Sequence, residues 1–512
     1  MSEFVLAIDQ GTTGTTALLF DARGEVRSRG YALVPQHFPR PGWVEHDAHE
    51  IWDSVLAAIH AALRAANASG DSVRAIGITN QRETTLVWDR ATGKPVARAL
   101  VWQDRRTAAR CEALRRSGAA AAIQRQTGLV CDPYFSATKL EWLLRNTPGA
   151  RASGRAGRLA FGTIDSWLVW KLTGGRTHAT DPTNASRTML YDIRKQRWDE
   201  ALLERFGVPR AMLPEVLPSS GMFGTTVGIP GLANGIRIAG VAGDQQAALF
   251  GQGCVRAGQS KNTYGTGCFL LFHTGAIPVA SRSGLLTTVA CGPQGEAAYA
   301  LEGSVFIAGA AIQWLRDGLG LFDHATASEA LARSVEDSGG VSLVPAFVGF
   351  GAPRWRSDAR GALMGLTRGT TRAHIARAAL ESMAFQTREV VEAMQADTGR
   401  PAGGRRVKLR ELRVDGGAAA NDLLLQFQAD LLGIPVHRPR VIETTALGAA
   451  LLAGLATGVW SGQQDVARAR RIERTFEPAR TRRWRTEAVA QWDAAVAGVL
   501  AAADFGRRQR AR

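Results

Sequence analysis

Lysine is scarce in this chain. Of its 512 residues 62 are basic, and only six of those are Lys while 56 are Arg; set against 46 acidic residues, this gives a net charge of +16. A surplus of that size favours non-specific contact with polyanions. The Arg residues are nevertheless scattered, with one recurrence at Arg64, Arg74, Arg82, Arg90 and Arg98. No basic tail interleaved with aromatics, no zinc-finger spacing and no RNA-binding signature accompanies them. The composition reads as Arg used in place of Lys, and no nucleic-acid partner is expected. Cysteine is sparse as well. The five residues, Cys111, Cys131, Cys254, Cys268 and Cys291, form no CxxC pair, which fits free thiols in a reducing compartment. Long apolar runs are missing too. The longest stretch, Ala446 to Trp460, is interrupted by Gly448, Gly454 and Gly458, so it reads as a buried helix and no membrane insertion is expected. The chain opens on Phe4 to Ile8 without a basic segment or cleavage site before it. We read this as a strand and expect a cytoplasmic protein.

What is present is an ordinary globular composition, 45% hydrophobic and 21% charged, in a chain long enough for two domains. Strand and helix signals alternate, which argues for an α/β fold. Phe4 to Ile8, a Gly/Thr turn and Thr16 to Phe20 read as a hairpin. Asp47 to Ala66 reads as a capped amphipathic helix. The same hairpin grammar returns around Thr263-Tyr264-Gly265-Thr266-Gly267, followed by Cys268 to Phe272. Two such hairpins suggest two similar halves facing each other, with a boundary between Gly251 and Gln259. Gly399 to Arg406 reads as a surface loop and Arg507 to Arg512 as a frayed basic tail.

Several segments carry chemistry. Asp9-Gln10-Gly11-Thr12-Thr13-Gly14 ends a strand in a turn whose amides and hydroxyls can face phosphate oxygens, and Asp9 is placed to hold Mg²⁺ through water. It is not a Walker loop, because no Gly-Lys-Ser/Thr follows. Taken alone it is equally a tight hairpin, and so is Tyr264 to Gly267; the pairing of the two suggests a clamp on a nucleotide's phosphates. Arg82 and Glu83 stand side by side after the apolar strand Val73 to Ile78, either as a solvated ion pair or as a charged donor and acceptor for hydroxyl groups. Asp244, in Gly243-Asp244-Gln245-Gln246, is either a helix cap or a general base. Asp415-Gly416-Gly417 leading to Asn421 is either a plain helix start or a platform for adenine.

Longer strings carry a resemblance. Pro41 to Asp47, Gly77 to Thr85, Asp132 to Ser136, Thr183 to Leu190, Ala242 to Gly251 and Lys261 to Phe269, with two signatures at Tyr134 to Leu144 and Gly361 to Glu381, are similar to the FGGY family of carbohydrate kinases. Within it they resemble the members that phosphorylate glycerol. The likeness runs from about Val5 to about Trp460. It implies two actin/hexokinase-like (ribonuclease H-like) domains facing a cleft, residues 1–251 and 252–512. It implies ATP and Mg²⁺, and a homodimer or homotetramer. It implies contacts to glycerol from Arg82, Glu83, Tyr134, Asp244 and Gln245, with Trp102 and Phe269 limiting substrate size. Nucleotide contacts fall on Thr12, Thr13, Gly14, Thr266, Gly309, Gln313, Gly417 and Asn421. Asp244 matches the base, and Asp9 with Asp244 lies near the metal. In the family, closure of the domains excludes water.

The chain also departs from the family pattern. Gly14-Thr15-Thr16 stands where many members have Ser-Ser-Arg, and Arg354 and Arg356 replace a Tyr and an Asp. Ile229 to Arg237 matches neither known regulatory loop of the family. The expectation is phosphorylation of glycerol to sn-glycerol 3-phosphate. The alternatives are a kinase for xylulose, gluconate or another polyol, a catalytically silent nucleotide-binding protein, and, last, a polyanion binder.

Overall fold

The computed structural model describes residues 3–399 and 407–510. The expected loop at 399–406 therefore lies outside the described residues except for Gly399. Phe4–Gln10 and Gly14–Phe20 pair antiparallel, from Val5 opposite Phe20 to Gln10 opposite Thr15. The intervening turn is closed by Gly11 N–H donating to Gly14 O at 2.9 Å. Val26–Leu33 continues the meander on one side. On the other side Val73–Asn80 and then Arg237–Gly243 add in parallel, and Ser220–Thr225 ends the six-stranded sheet. The helix Ala48–Ala65 is capped by Asp47, whose carboxylate accepts from His49 N at 2.8 Å, and it buries Ile51, Val55 and Ile59.

The second half repeats this plan. Ser260–Tyr264 and Cys268–Gly275 form the hairpin, with Ala297–Val305 and Leu286–Cys291 beyond it. Leu412–Asp415 and Val436–Pro439 add in parallel, and Ile472–Phe476 closes the edge antiparallel. In both sheets the parallel strands lie on the same side of the hairpin, so both Gly/Thr turns sit beside the carboxyl ends of parallel strands. That is where ligands of open α/β sheets bind.

One helix crosses between the halves. Thr444–Thr457 lies in sequence between the last two strands of the second sheet but packs on the first, joining Val5, Ala7, Ala75 and Ala239 in one core together with Ala247 and Phe250 of the helix Asp244–Gly251. Its composition explains the fit. Ala and Gly dominate, so backbone can approach backbone. A Cβ on Gly448 would run into the carbonyl of Ala247, and one on Gly77 would run into that of Ala449. Leu447, Leu451 and Leu452 supply the apolar area.

The expected tail from Arg507 is described only to Arg510, and that part is not frayed but closes a helix, Arg482–Arg510; residues 511 and 512 lie outside the described residues. Arg507 Nη2 donates to Asp358 Oδ2 at 2.7 Å, and Trp492, Val496 and Val499 sit in the second core. This helix is long and apolar enough to cross a membrane by length and composition. The departures Arg354 and Arg356 are also accounted for: Arg354 forks onto Glu389 with both bonds at 3.0 Å, and Arg356 bridges Asp358 and Asp504. Gly448→Ala should destabilise the protein by about 1–3 kcal/mol, because the added methyl must push two packed backbones apart. A thermal midpoint equal to that of the unaltered chain would show that the helices are not in such close contact.

Candidate active site

The strand Val73–Asn80 ends in a sharp turn. Thr84 N–H donates to Arg82 O at 2.7 Å, and Glu83 between them has φ +62°. A left-handed Glu is uncommon and costs backbone energy. The turn is held by Thr85 Oγ1 and Ser136 Oγ, both donating to Glu83 O, at 3.0 and 3.1 Å. The strand end itself is fixed by Gln81 N–H donating to Gln10 O at 2.7 Å and by Asn80 and Asn184 exchanging amide hydrogen bonds at 3.1 and 3.2 Å. The result is that two consecutive charged side chains are both buried.

Four such charges meet here. Arg82 forks onto Glu302, Nη1 to Oε2 at 2.6 Å and Nη2 to Oε1 at 3.0 Å. Arg187 donates through Nε to Glu83 at 2.6 Å and through Nη2 to Glu302 at 3.0 Å. Arg82 Nε also lies 3.1 Å from Asp244 Oδ1, and its Nη1 donates to Gln246 Oε1 at 3.1 Å. Exposure separates the members of the cluster. The side chains of Arg82, Glu83, Arg187 and Glu302 are 2%, 1%, 0% and 0% exposed, whereas Asp244 is 31% exposed. Asp244 is therefore the most open carboxylate of the cluster. Burial alone would raise Glu302, but Arg187 and Arg82 outweigh it and hold its carboxyl down to about 2. Burial raises Glu83, and Arg187 and Arg82 only partly counter it.

Asp244 is not a cap. Gly243 occupies the cap position, and Asp244 is the first residue of the helix, where its Oδ1 accepts from Gln245 N at 2.7 Å. Gln245 accepts from the ammonium of Lys261, which also donates to Thr263 Oγ1 at 2.7 Å. Lys261 reaches this point from the second hairpin. Asp9 lies nearby, half-buried, and burial together with the like charge of Asp244 pushes its carboxyl up to about 7. Thr16 stands directly opposite Asp9 in the hairpin, so the departure from Arg there leaves a hydroxyl where a cation would face this carboxylate.

The walls are aromatic. Trp102 and Tyr134 meet edge to face with centroids 5.5 Å apart, and Arg82 Nη2 is 3.5 Å from Tyr134 Oη. Trp102 Nε1 donates to Thr12 Oγ1 at 2.9 Å, which ties an expected polyol residue to an expected nucleotide residue. Lys139 supports both rings from behind. Its buried ammonium donates to Tyr134 O at 2.7 Å and to Val101 O at 3.4 Å. Phe269 lies on the second hairpin opposite Thr263 and Ser304 and is half-buried.

The expected nucleotide residues fall at both turns and beyond. Thr12 is half-buried and Thr13 exposed at the first turn. Gly14 begins the second strand under the ring of Tyr31, which a Cβ would strike, so its lack of a side chain already has a packing reason. Thr266 is exposed at the second turn, and its carbonyl accepts from Ala308 and Ala310 N–H at 2.8 and 3.1 Å. Gly309 opens the helix Gly309–Asp317 against that turn, with its N–H on Gly265 O at 3.0 Å, and Gln313 is exposed one turn on. Gly417 has open space where a Cβ would be. Asn421 uses its Oδ1 to cap the helix Asp422–Leu432, accepting from Leu424 N at 2.9 Å. The structure adds Arg187, Glu302, Lys261, Gln246 and Lys139 to the residues singled out from sequence. A lone Glu in the apolar strand Ala297–Val305 was the available signal for Glu302.

Comparison with known proteins agrees with this geometry. Residues 4–251 match the N-terminal domain of the FGGY family of carbohydrate kinases, and residues 260–457 match its C-terminal domain. A protein from Bordetella parapertussis named glycerol kinase is 58% identical over 496 residues, covering 94% of this chain and 96% of its own. One of the same name from Dechloromonas aromatica is 56% identical, covering 96% and 97%. The crystal structure of Plasmodium falciparum glycerol kinase with ADP superposes with a TM-score of 0.90 at 36% identity, covering 98% of each chain.

Lys139 gives a pH test of the site's frame. Burial pushes its ammonium down to about 8, well below the value in the unfolded chain. The folded protein thus releases this proton first, and its stability rises with pH between about 8 and 10.5. The thermal midpoint of the unaltered chain should climb relative to that of Lys139→Met as pH goes from 8 to 10. A difference that stays constant would mean that Lys139 does not titrate in that range.

Proposed function

The chain belongs to the FGGY family of carbohydrate kinases, and we propose that it transfers the terminal phosphoryl group of ATP to glycerol, giving sn-glycerol 3-phosphate and ADP. The single observation that carries the reading is the pairing of buried Arg82 and Glu83 with the more open carboxylate of Asp244, 3.1 Å from Arg82. A triol offers donors and acceptors and little else. A fixed cation and a fixed anion match its hydroxyls with charge-assisted bonds, which a substrate lacking those hydroxyls would forgo. Trp102, Tyr134 and Phe269 bound the carbon chain. The glycerol kinase names of the relatives and of the structural neighbour support the same substrate.

The reaction needs little covalent chemistry from the protein. Arg82, Tyr134 and Gln245 orient the polyol, with Glu83 accepting from a hydroxyl. Asp244 Oδ1 is engaged by Arg82 and Gln245 N–H, which leaves Oδ2 to take the proton of the acceptor hydroxyl. The deprotonated acceptor oxygen bonds to the terminal phosphorus, the bridging P–O bond breaks, and ADP leaves with the electron pair. Thr12, Thr13, Gly14 and Thr266 hold the phosphates from the two turns, and Gly309, Gln313, Gly417 and Asn421 hold the rest of the nucleotide. Lys261 balances charge on the side of the second turn.

Mg²⁺ suits the donor set. Asp9 and Asp244 are hard oxygen donors close enough that one raises the other, and burial leaves Asp9 short of counter-charge. With nucleotide phosphates as further ligands, the ion would neutralise charge on the transferred group. Residues 1–251 and 252–512 form the two proposed domains, with the helix Thr444–Thr457 returning to the first. The five buried thiols suit a reducing, cytoplasmic setting.

A coupled assay of ADP release over glycerol, xylulose, gluconate and other polyols tests the reading. Glycerol should give the highest kcat/KM, and faster turnover of a ketose would defeat it. Asp244→Asn should lower kcat by about 10²–10⁴ with little change in either KM, as loss of a general base predicts. An unchanged kcat would remove Asp244 from that role.

A further inference from the structure

Every residue expected to touch the polyol, apart from Phe269, comes from the first half of the chain. Glu302 does not. It lies on the strand Ala297–Val305 of the second sheet, opposite Leu271 on one neighbour and Leu286 on the other. The next residue, Gly303, faces the other side of the sheet against Val390. Alternation along the strand therefore turns Glu302 toward the first half.

There its carboxylate is the one acceptor shared by both buried guanidiniums. Two bonds come from Arg82 and one from Arg187, at 2.6, 3.0 and 3.0 Å. From this node one path runs through Arg187 to Glu83, and another runs through Arg82 to Asp244. A guanidinium is aimed by the acceptors that fill its fork. Without Glu302, Arg82 keeps Gln246, Tyr134, Asp244 and a looser ion pair with Glu83 at 3.8 Å, and Arg187 keeps its bond to Glu83. The strand's far end leads within four residues to Gly309, which rests on the Gly265–Thr266 turn.

We propose that Glu302 is a positioning residue for acceptor recognition: it aims Arg82 and Arg187 across the junction of the two sheets, so that the polyol subsite is complete only when the second sheet is docked on the first. The proposal rests on the kinase reading above, but not on glycerol being the acceptor.

Steady-state kinetics of the full-length Glu302→Gln variant test it. The acceptor is whichever of glycerol, xylulose or gluconate the unaltered enzyme turns over fastest, and ATP is varied separately. The acceptor KM should rise about tenfold or more, while the ATP KM stays within about twofold. Arg187→Lys keeps the charge and loses the fork, so it should give the same split with a smaller rise, and it decides the matter if Glu302→Gln does not fold. A purely structural role would lower the thermal midpoint and leave the acceptor KM unchanged, or raise both KM values together. Either result in a folded variant overturns the proposal, as does failure of both variants to fold. Should glycerol not be the best acceptor, the glycerol reading fails while this comparison still stands.

Discussion

The structure turns on a buried arrangement of charge. Two guanidiniums and two carboxylates sit out of water where the sheets meet, and each is ion-paired within the cluster. Removing an ion from water costs several kcal/mol, and only close, forked geometry offsets that cost. The cluster is neutral within itself, with Arg82 and Arg187 against Glu83 and Glu302. The two guanidiniums offset the burial cost of the carboxylates, fully at Glu302, which they hold low, and only in part at Glu83, which burial raises. The cluster also fixes the relation between the halves, because three of the four residues come from the first and one from the second. The left-handed Glu83 follows from the same demand: an extended backbone would send Arg82 and Glu83 to opposite faces, and the turn brings both inward.

Around this core the two halves use the same device twice. Each hairpin turn is closed by a glycine amide, Gly11 onto Gly14 O and Gly265 onto Gly267 O, both at 2.9 Å. Each lies beside a parallel strand. The halves differ in what stands next to the turn. The second has Lys261, two residues before Thr263 in the strand that leads into the turn, while the first has Thr16 opposite Asp9. Positive charge near the expected phosphates therefore comes from the second half. Trp102 couples this region to the polyol side, since a single N–H holds Thr12 while the ring stands against Tyr134.

Much of this was legible in the sequence wherever the signal was local. Both hairpins, the capped helix after Asp47 and the strand before Arg82 follow from turn residues and apolar periodicity. What depends on register was not legible. Glu302 is a lone charge in an apolar strand, and only the pairing with Leu271 and Leu286 says which residues it meets. Thr444–Thr457 is apolar on all sides, which predicts burial but not the sheet on which it lies; the answer lies in its fit against Gly77 and Ala247. Gly14 and Asn421 each carry a local structural duty, packing under Tyr31 and capping a helix, that a motif reading does not show beside the ligand role it gives them. The described part of the basic tail differs from the reading because Arg507 meets an acidic partner distant in sequence, Asp358, within a continuing helix.

The charge pattern also bears on which acceptors suit the site. Glycerol and the ketoses are neutral, whereas gluconate brings a carboxylate. Arg82 and Arg187 already have their forks on Glu302, Glu83 and Asp244, leaving only one Nη1 of Arg187 without a partner, and that atom is buried. Lys261 is held by Gln245 and Thr263 toward the second turn. An incoming carboxylate would therefore meet Asp244 and Glu83 before any uncommitted cation, and like charges at such range disfavour one another strongly in a dry site. Neutral acceptors meet no such penalty. Among them, the proposed limit on size is the edge-to-face pair of Trp102 and Tyr134, and a single buried ammonium, that of Lys139, holds the carbonyls of Val101 and Tyr134. Discrimination by charge thus comes from the floor of the site and discrimination by size from its walls, and the two are built from different residues.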